Sequence, residues 1–217
     1  MRKRPYKSLV RQRQASDTRR RIVEVTRQLL QSEGYDGMTI EAIAQRAEVS
    51  AQSVYAIFKS KTGILTELLD QSSFGVDYED AVRQARSASD PETRLRLAAR
   101  VARQIRGAQS ATFDLMRGAG VVAPELARLE QNRERLRYEG EEGTITFLRE
   151  AGRLRPGLDQ KTARDILWML TGGDVYRMLV RERNWSPQKY EDWLADTLVT
   201  SLLSPTSTRG APLKQKM

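Results

Sequence analysis

Residues 39 to 61, TIEAIAQRAEVSAQSVYAIFKSK, contain two short amphipathic stretches separated by a few residues, and this pattern constrains the fold most. In each stretch the apolar residues recur at i, i+3, i+4 and i+7, which is the spacing of one helical face: Ile40, Ile43, Ala44, Ala47, then Ala51, Val54, Tyr55, Phe58. Thr39 and Ser50 are suitable N-caps. The sequence therefore predicts two helices that turn at Glu48 and Val49, with their apolar faces together.

The polar side of the second predicted helix suits contact with DNA. It carries Gln52, Ser53 and Ala56, which are small or amide side chains that fit a major groove and can face base edges. Lys59 and Lys61 follow with ammonium groups suited to phosphate. Helical hairpins that touch no nucleic acid give the same spacing, so the spacing alone leaves both interpretations open.

Two longer predicted helices flank this hairpin. The first begins near Ser16 or Asp17, ends at Gly34, and places one set of residues inward: Ile22, Val25, Thr26, Leu29, Leu30. The second is capped by Ser60 and buries Ile64, Leu65, Leu68, Leu69. Together these segments predict a small helical domain over residues 17–72.

With these residues identified, the stretch from 17 to 70 resembles the N-terminal domain of TetR-family transcriptional regulators. The resemblance rests on EGYDGMTIEAIAQRAEVS and SVYAIFKSKTGILTELL, in which the following residues stand in family order: Gly34, Thr39, Ile43, Ala44, Val49, Ser50, Tyr55, Phe58, Lys61. It implies a three-helix DNA-binding domain in which Thr39, Tyr55 and Lys61 contact phosphate. The positions implied on the reading helix are Ala51, Gln52, Ser53, Tyr55, Ala56.

Three positions complicate this implied interface. Tyr55 equally fits a wall of the small core with its hydroxyl at the rim. Glu41 stands where some members of the family have a basic residue that reads bases, and Ile57 stands where many have histidine. Base recognition is therefore expected to depend on few side chains.

The chain is basic, with 37 Lys and Arg against 28 Asp and Glu among 217 residues and a formal charge of +9. Residues 1–16 are the most biased part, and we expect them to form a flexible arm that contacts DNA through Arg4, Arg11 and Arg13. Membrane headgroups are also polyanions, but this arm lacks the apolar face of an interfacial helix. A solvated tail is the remaining alternative.

Cysteine and histidine are both absent, which excludes many kinds of site. Disulfides, common zinc sites and imidazole-activated nucleophiles all require these residues. We also find no phosphate-binding glycine loop, so no cofactor and no enzyme activity are expected. The sequence predicts no membrane span and no signal peptide, and we expect a cytoplasmic protein.

Beyond residue 72 the sequence predicts only helices, so the fold class is all-α. The first predicted helix here starts at Asp90 and Pro91 and ends at Gly107, and a short helix then ends at Gly118 or Gly120. A long helix starts at Pro124, another covers residues 159–183, and the last is capped by Ser186. The body thus spans residues 73–203, and residues 204–217 are expected to be disordered.

The family resemblance implies that this body binds a small-molecule effector and forms a homodimer through its last two helices. Large side chains are the effector candidates, although such residues more often belong to plain core than to a pocket: Phe113, Met116, Tyr138, Phe147, Trp168, Tyr176. The interface candidates are Gly172, Tyr190, Trp193, Leu194, Leu198, Leu202. Gly172 with Gly173 is either a close-approach site or a kink, and the apolar stripe of the last helix also fits packing within one chain.

Together with the sequence patterns, the resemblance implies a ligand-responsive regulator, most often a repressor in this family, that binds a palindromic double-stranded DNA operator as a homodimer. Two alternatives come from other classes of protein. One is a general nucleic-acid binder that depends on the basic arm, and the other is an enzyme that uses carboxylates or tyrosine in the helical body.

Overall fold

The computed structural model describes residues 6–73, 76–120 and 124–205, with side chains for residues 13–70, 79–108 and 124–205. The helices are α1 (Tyr6–Gly37), α2 (Ile40–Arg46), α3 (Ala51–Phe58), α4 (Lys61–Ser73), α5 (Val76–Ser87), α6 (Pro91–Gly120), α7 (Pro124–Glu150), α8 (Gln160–Leu170), α9 (Gly173–Tyr176) and α10 (Pro187–Leu202), with a π-helical segment at Arg177–Glu182. The all-α prediction is confirmed. An isolated bridge between Leu154 and Leu203 is the β pairing seen in the described part.

The chain divides into two compact units. The first, which we call the head, comprises Met1–Asp80 with Gln104–Leu136, and the second, which we call the body, comprises Ala81–Arg103 with Arg137–Met217. Each unit therefore combines segments that are distant in sequence. Within the described ranges, no helix is long and apolar enough to cross a membrane.

The head is built around one apolar cluster. Side chains from α1 to α4 form most of it, including Ile22, Leu29, Met38, Ile43, Val54, Ile64 and Leu68, all fully buried. Thr26 is buried with them because its hydroxyl donates to the Ile22 carbonyl, 2.8 Å away, which satisfies the polar group inside the helix. Leu126 and Leu129 of α7 complete the same cluster.

The body has its own apolar core around α10. Tyr190, Leu194, Leu198 and Leu202 follow one face of α10 and are fully buried among side chains that include Leu95, Leu148, Ala163 and Leu167. The predicted caps hold the ends of its helices. Asp159 accepts from the Thr162 amide at the start of α8, and Ser186 accepts from the Lys189 amide at the start of α10, where Pro187 occupies the first turn.

One predicted boundary at the N-terminal end of the chain is revised, and another is confirmed. Helix α1 begins at Tyr6 rather than near Ser16, because no glycine or proline interrupts residues 6–16 and most of them favour a helix. Gly34 does break the helix as predicted, with φ 70° and ψ −171°, a backbone region that is almost restricted to glycine.

Two boundaries beyond residue 73 are also revised. Helix α6 continues through Gly107 to Gly120 as one helix, since a single glycine costs a helix only about 1 kcal/mol. The helix predicted over 159–183 stops at Leu170, because Gly172 is extended with ψ 156°, and a π-helical segment follows at Arg177–Glu182. The glycine pair therefore acts as a break. Of the predicted C-terminal tail, residues 206–217 lie outside the described residues.

Replacing Leu198 by alanine should lower the free energy of unfolding by about 2–5 kcal/mol, because the side chain is fully buried in the body and its removal leaves a cavity. Leu136→Ala removes the same atoms from a side chain that is 52% exposed, so a change below about 0.5 kcal/mol is expected. Urea denaturation followed by circular dichroism measures both. Equal losses would contradict the burial assigned to α10.

Candidate nucleic-acid interface

Helices α2 and α3 form a hairpin with a tight turn, as the sequence predicts. The Val49 amide donates to the Ala44 carbonyl at 3.0 Å, and the Glu48 amide donates to Gln45 at 3.2 Å. Glu48 has φ 54°, the left-handed conformation that reverses the chain between the two helices. The buried faces of Ile43, Ala44 and Val54 then meet in the core of the head.

Both predicted N-caps are confirmed. The Thr39 hydroxyl accepts from the Ala42 amide at 3.1 Å, and the Ser50 hydroxyl accepts from the Ser53 amide at the same distance. Each bond satisfies an amide that has no partner within its own helix. The Ser53 hydroxyl lies 2.8 Å from the Ser50 hydroxyl, so it is already engaged in this cap.

One face of α3 is buried and the other is exposed to solvent. Val54 and Phe58 are buried, whereas four residues at i, i+3, i+4 and i+7 are exposed: Gln52, Tyr55, Ala56, Lys59. Tyr55 is 49% exposed, so its ring belongs to this outer face rather than to the core. Ala51 is half-buried and packs against the core of the head. The outer face presents an amide, a phenol, a methyl group and an ammonium group.

The two lysines after α3 differ in their surroundings. The Lys59 ammonium group donates to the Ala56 carbonyl at 3.0 Å and remains exposed. Lys61 is half-buried, donates to the Tyr35 carbonyl at 2.5 Å, and lies 3.6 Å from the centre of the Tyr35 ring. Burial lowers the pKa of Lys61, against the opposing influence of the Asp36 and Glu125 carboxylates.

Three candidates in the head were not identified from the sequence: Arg19, Tyr35 and Glu125. Arg19 pairs with Glu67 at 2.7 Å and stacks 4.9 Å from the centre of the Phe58 ring, so it supports the end of α3 from α1. Tyr35 donates through its hydroxyl to Glu125 at 2.6 Å. An aromatic side chain directly after the helix-ending Gly34 was a signal that could have identified Tyr35. Its partners, however, come from distant positions that no local sequence pattern connects.

The basic residues of the first sixteen positions are only partly described. Arg13 is exposed on α1. Arg4 and the side chain of Arg11 lie outside the described residues.

The effector candidates whose side chains are described have the following surroundings in the body. Tyr138 donates to Asp165 at 2.8 Å and meets the Trp168 ring edge to face at 6.3 Å. Tyr176 is buried against Tyr190, with ring centres 5.0 Å apart, and Phe147 lies beneath the Arg94 guanidinium at 3.9 Å. The side chains of Phe113 and Met116 lie outside the described residues. A groove of about 200 Å³ has a different lining: Glu142, Ile145, Thr146, Gln160, Lys161, Arg164.

Most of the interface candidates lie in the core of the single chain. Tyr190, Leu194, Leu198 and Leu202 are fully buried within a single chain, because the apolar stripe of α10 packs into the body's own core. Trp193 is half-buried against Tyr190, and Gly172 is half-buried at the helix break. Among the described residues of the body, the exposed large apolar side chains are instead Met169 and Met178.

Residues 22–68 match the family model described as bacterial regulatory proteins, tetR family. Two relatives from Bacillus subtilis strain 168 are uncharacterized HTH-type transcriptional regulators. YvkB is 39% identical over 56 residues, which cover 26% of this chain and 30% of YvkB. YdeS is 25% identical over 169 residues, which cover 75% of this chain and 79% of YdeS.

The fold is shared by a solved structure of SmeT in complex with triclosan. The two chains align with a TM-score of 0.69 and 18% identity over 91% of this chain and 99% of SmeT. At this level of identity the likeness concerns the fold. It extends beyond the matched head to nearly the whole length.

Ser50→Ala should lower the free energy of unfolding by about 1 kcal/mol, because the amide of Ser53 loses its cap at the start of α3. Ser50→Thr retains the hydroxyl and should recover most of the loss. Thermal unfolding monitored at 222 nm compares the three proteins. A Thr variant as unstable as the Ala variant would show that the cap bond is not what matters at this position.

Proposed function

The chain is a transcriptional regulator of the tetR family, and from this premise we propose that it is a ligand-responsive repressor that binds a palindromic DNA operator as a homodimer. The observation that carries the proposal is the outer face of α3. Gln52, Tyr55, Ala56 and Lys59 are exposed there beside two capped helix starts, while the inner face is fixed by burial. Such a helix is free to enter a major groove.

Within this proposal, base recognition belongs to the N-terminal half of α3. The Gln52 carboxamide offers a donor and an acceptor to an adenine edge, and the Ala56 methyl group suits contact with a thymine methyl. Ser53 has a smaller role than its position suggests, because its hydroxyl is engaged by Ser50. The exposed Glu41 places a negative charge where some family members have a basic residue.

Phosphate contacts are proposed for the residues that surround α3. Thr39 and Ser50 stand at the starts of α2 and α3, where backbone amides favour an anion. Tyr55, Lys59 and Lys61 add a phenol and two ammonium groups. Arg4, Arg11 and Arg13 extend the same basic character to the start of the chain, and the formal charge of +9 favours a polyanionic partner overall.

A homodimer is proposed because one head spans too few base pairs for tight, specific binding. Two heads read both half-sites of a palindrome when their recognition helices are about 34–36 Å apart, one turn of B-DNA. Exposed Met169 and Met178 are the apolar groups of the body that suit a partner surface, in place of the buried stripe of α10. Methionine tolerates such contacts because its side chain is flexible and polarizable.

An effector is proposed for the body. SmeT is a protein of the same fold in complex with triclosan, which supports a small organic ligand here. The indole N–H of Trp168 is buried without a hydrogen-bond partner, so a ligand acceptor in this neighbourhood would satisfy it. A ligand that binds more tightly to one spacing of the two heads would shift the protein toward that spacing. The change in DNA affinity is then limited by the difference in ligand affinity between the two conformations.

The deciding experiment selects bound duplexes from a random DNA pool with the unmodified protein. An enriched palindrome would support sequence-specific binding by a symmetric dimer. Binding without enrichment, with steep salt dependence, would favour a general nucleic-acid binder instead. Sedimentation at micromolar concentration, with and without the enriched duplex, tests the dimer separately.

Two substitutions distinguish the proposed phosphate contacts from base recognition. Lys61→Ala should weaken binding to all duplexes alike and flatten the slope of log K against log salt by about one unit, because one phosphate contact is lost. Gln52→Ala should relax the preference for one base pair at a cost of about 1–3 kcal/mol. Fluorescence anisotropy titrations at several salt concentrations measure both. Identical effects from the two changes would contradict this division.

A further inference from the structure

The first half of α7 belongs to the head, although it follows α3 by more than sixty residues of sequence. Leu126 and Leu129 are buried in the head's apolar cluster, at 2% and 9% exposure. Arg133 pairs with Asp70 of α4 at 2.7 Å. The head is therefore completed by a helix that a truncation after residue 72 would remove.

Tyr35 connects this helix to the start of the hairpin. Its hydroxyl donates to the Glu125 carboxylate in the first turn of α7 at 2.6 Å, and the residue is 8% exposed. Burial raises the pKa of Tyr35, and the hydrogen bond to Glu125 raises it further, so the phenol is the donor. The bond fixes the short segment between Gly34 and Thr39, where α1 ends and α2 begins.

The same tyrosine positions Lys61. The Tyr35 carbonyl accepts from the ammonium group, and the Tyr35 ring lies beneath it. Lys61 is the first residue of α4 and uses one of its three donors here, which leaves others for a phosphate oxygen. Any movement of Tyr35 therefore moves a group proposed to contact DNA.

We propose that Glu125, which lies outside the helix-turn-helix, is a positioning residue for DNA binding that acts through Tyr35 on Lys61 and Thr39. This inference rests on the proposed function. The position of the start of α7 thus controls where the proposed phosphate-contacting groups lie, because a shift there breaks the hydrogen bond between Tyr35 and Glu125. A regulatory ligand or partner that displaces α7 would weaken DNA binding without touching α3.

Electrostatics alone predicts the opposite effect for Glu125, and this makes the proposal testable. An exposed carboxylate near a DNA-binding surface repels phosphate, so its removal should tighten binding slightly. A positioning role instead predicts that removal weakens binding. Glu24 is a matched control because it is also an exposed carboxylate in the head, with partners on its own helix.

The experiment uses the full-length protein and the duplex enriched from the random pool. Tyr35→Phe, which keeps the ring under Lys61, and Glu125→Ala should each weaken binding about three- to tenfold, as loss of one hydrogen bond implies. Each should also flatten the salt slope by about one unit. The double variant should bind like Glu125→Ala, because the two changes remove the same bond. Glu125→Gln, whose carboxamide oxygen still accepts, should restore affinity.

Glu24→Ala should bind like the unmodified protein or slightly more tightly. Hydrogen exchange at residues 37–42 without DNA gives an independent measurement, and faster exchange in Tyr35→Phe is expected. The positioning role is overturned if Tyr35→Phe leaves DNA affinity unchanged, or if the loss of affinity in the double variant equals the product of the two single losses. Neither result contradicts the proposed function. Failure of the unmodified protein to enrich any sequence defeats the proposed function, and the positioning role with it.

Discussion

Burial of the inner face of α3 is the constraint on which the rest of the head depends. A helix advances by a fixed angle per residue, so placing Val54 and Phe58 in the core leaves no choice about which side chains point outward. Helix α2 packs against this face, and α1, α4 and the start of α7 contribute to the same apolar cluster. The outward set, with Gln52 and Ala56, is thus a consequence of packing and not of any interaction among its own members.

This arrangement is maintained at the expense of local backbone strain. Glu48 and Lys59 flank α3, and both have positive φ, 54° and 68°, without being glycine. Such conformations cost on the order of 1–3 kcal/mol each and persist only where surrounding packing determines them. Packing fixes the backbone on each side of α3, because Ala47 and Phe58, the neighbours of Glu48 and Lys59, are buried and the helix caps are hydrogen-bonded. The two strained conformations therefore indicate that packing in the core fixes the conformation of the hairpin.

The sequence predicted what depends on local chemistry and missed what depends on distant contacts. Thr39, Ser50, Asp159 and Ser186 were found as caps, because a cap involves a hydroxyl or carboxylate and an amide three residues away. The stripe of α10 was found as an apolar face, yet periodicity cannot distinguish burial within one chain from burial between two. The bond between Tyr35 and Glu125 joins residues 90 apart, and no spacing rule predicts it. Gly107 and Gly172 show the same limit, since an identical residue continues one helix and ends another.

The π-helical segment at Arg177–Glu182 affects how the chain tolerates changes of length. Its backbone bonds skip one more residue than an α-helix does, as in the Arg183 amide that donates to Met178 at 3.2 Å. The segment therefore accommodates what amounts to one inserted residue. Deleting a residue there would convert the turn to an ordinary α-helix while Tyr176 before it and Tyr190 after it kept their orientation. This short stretch is thus a place where the chain can lose a residue and remain helical.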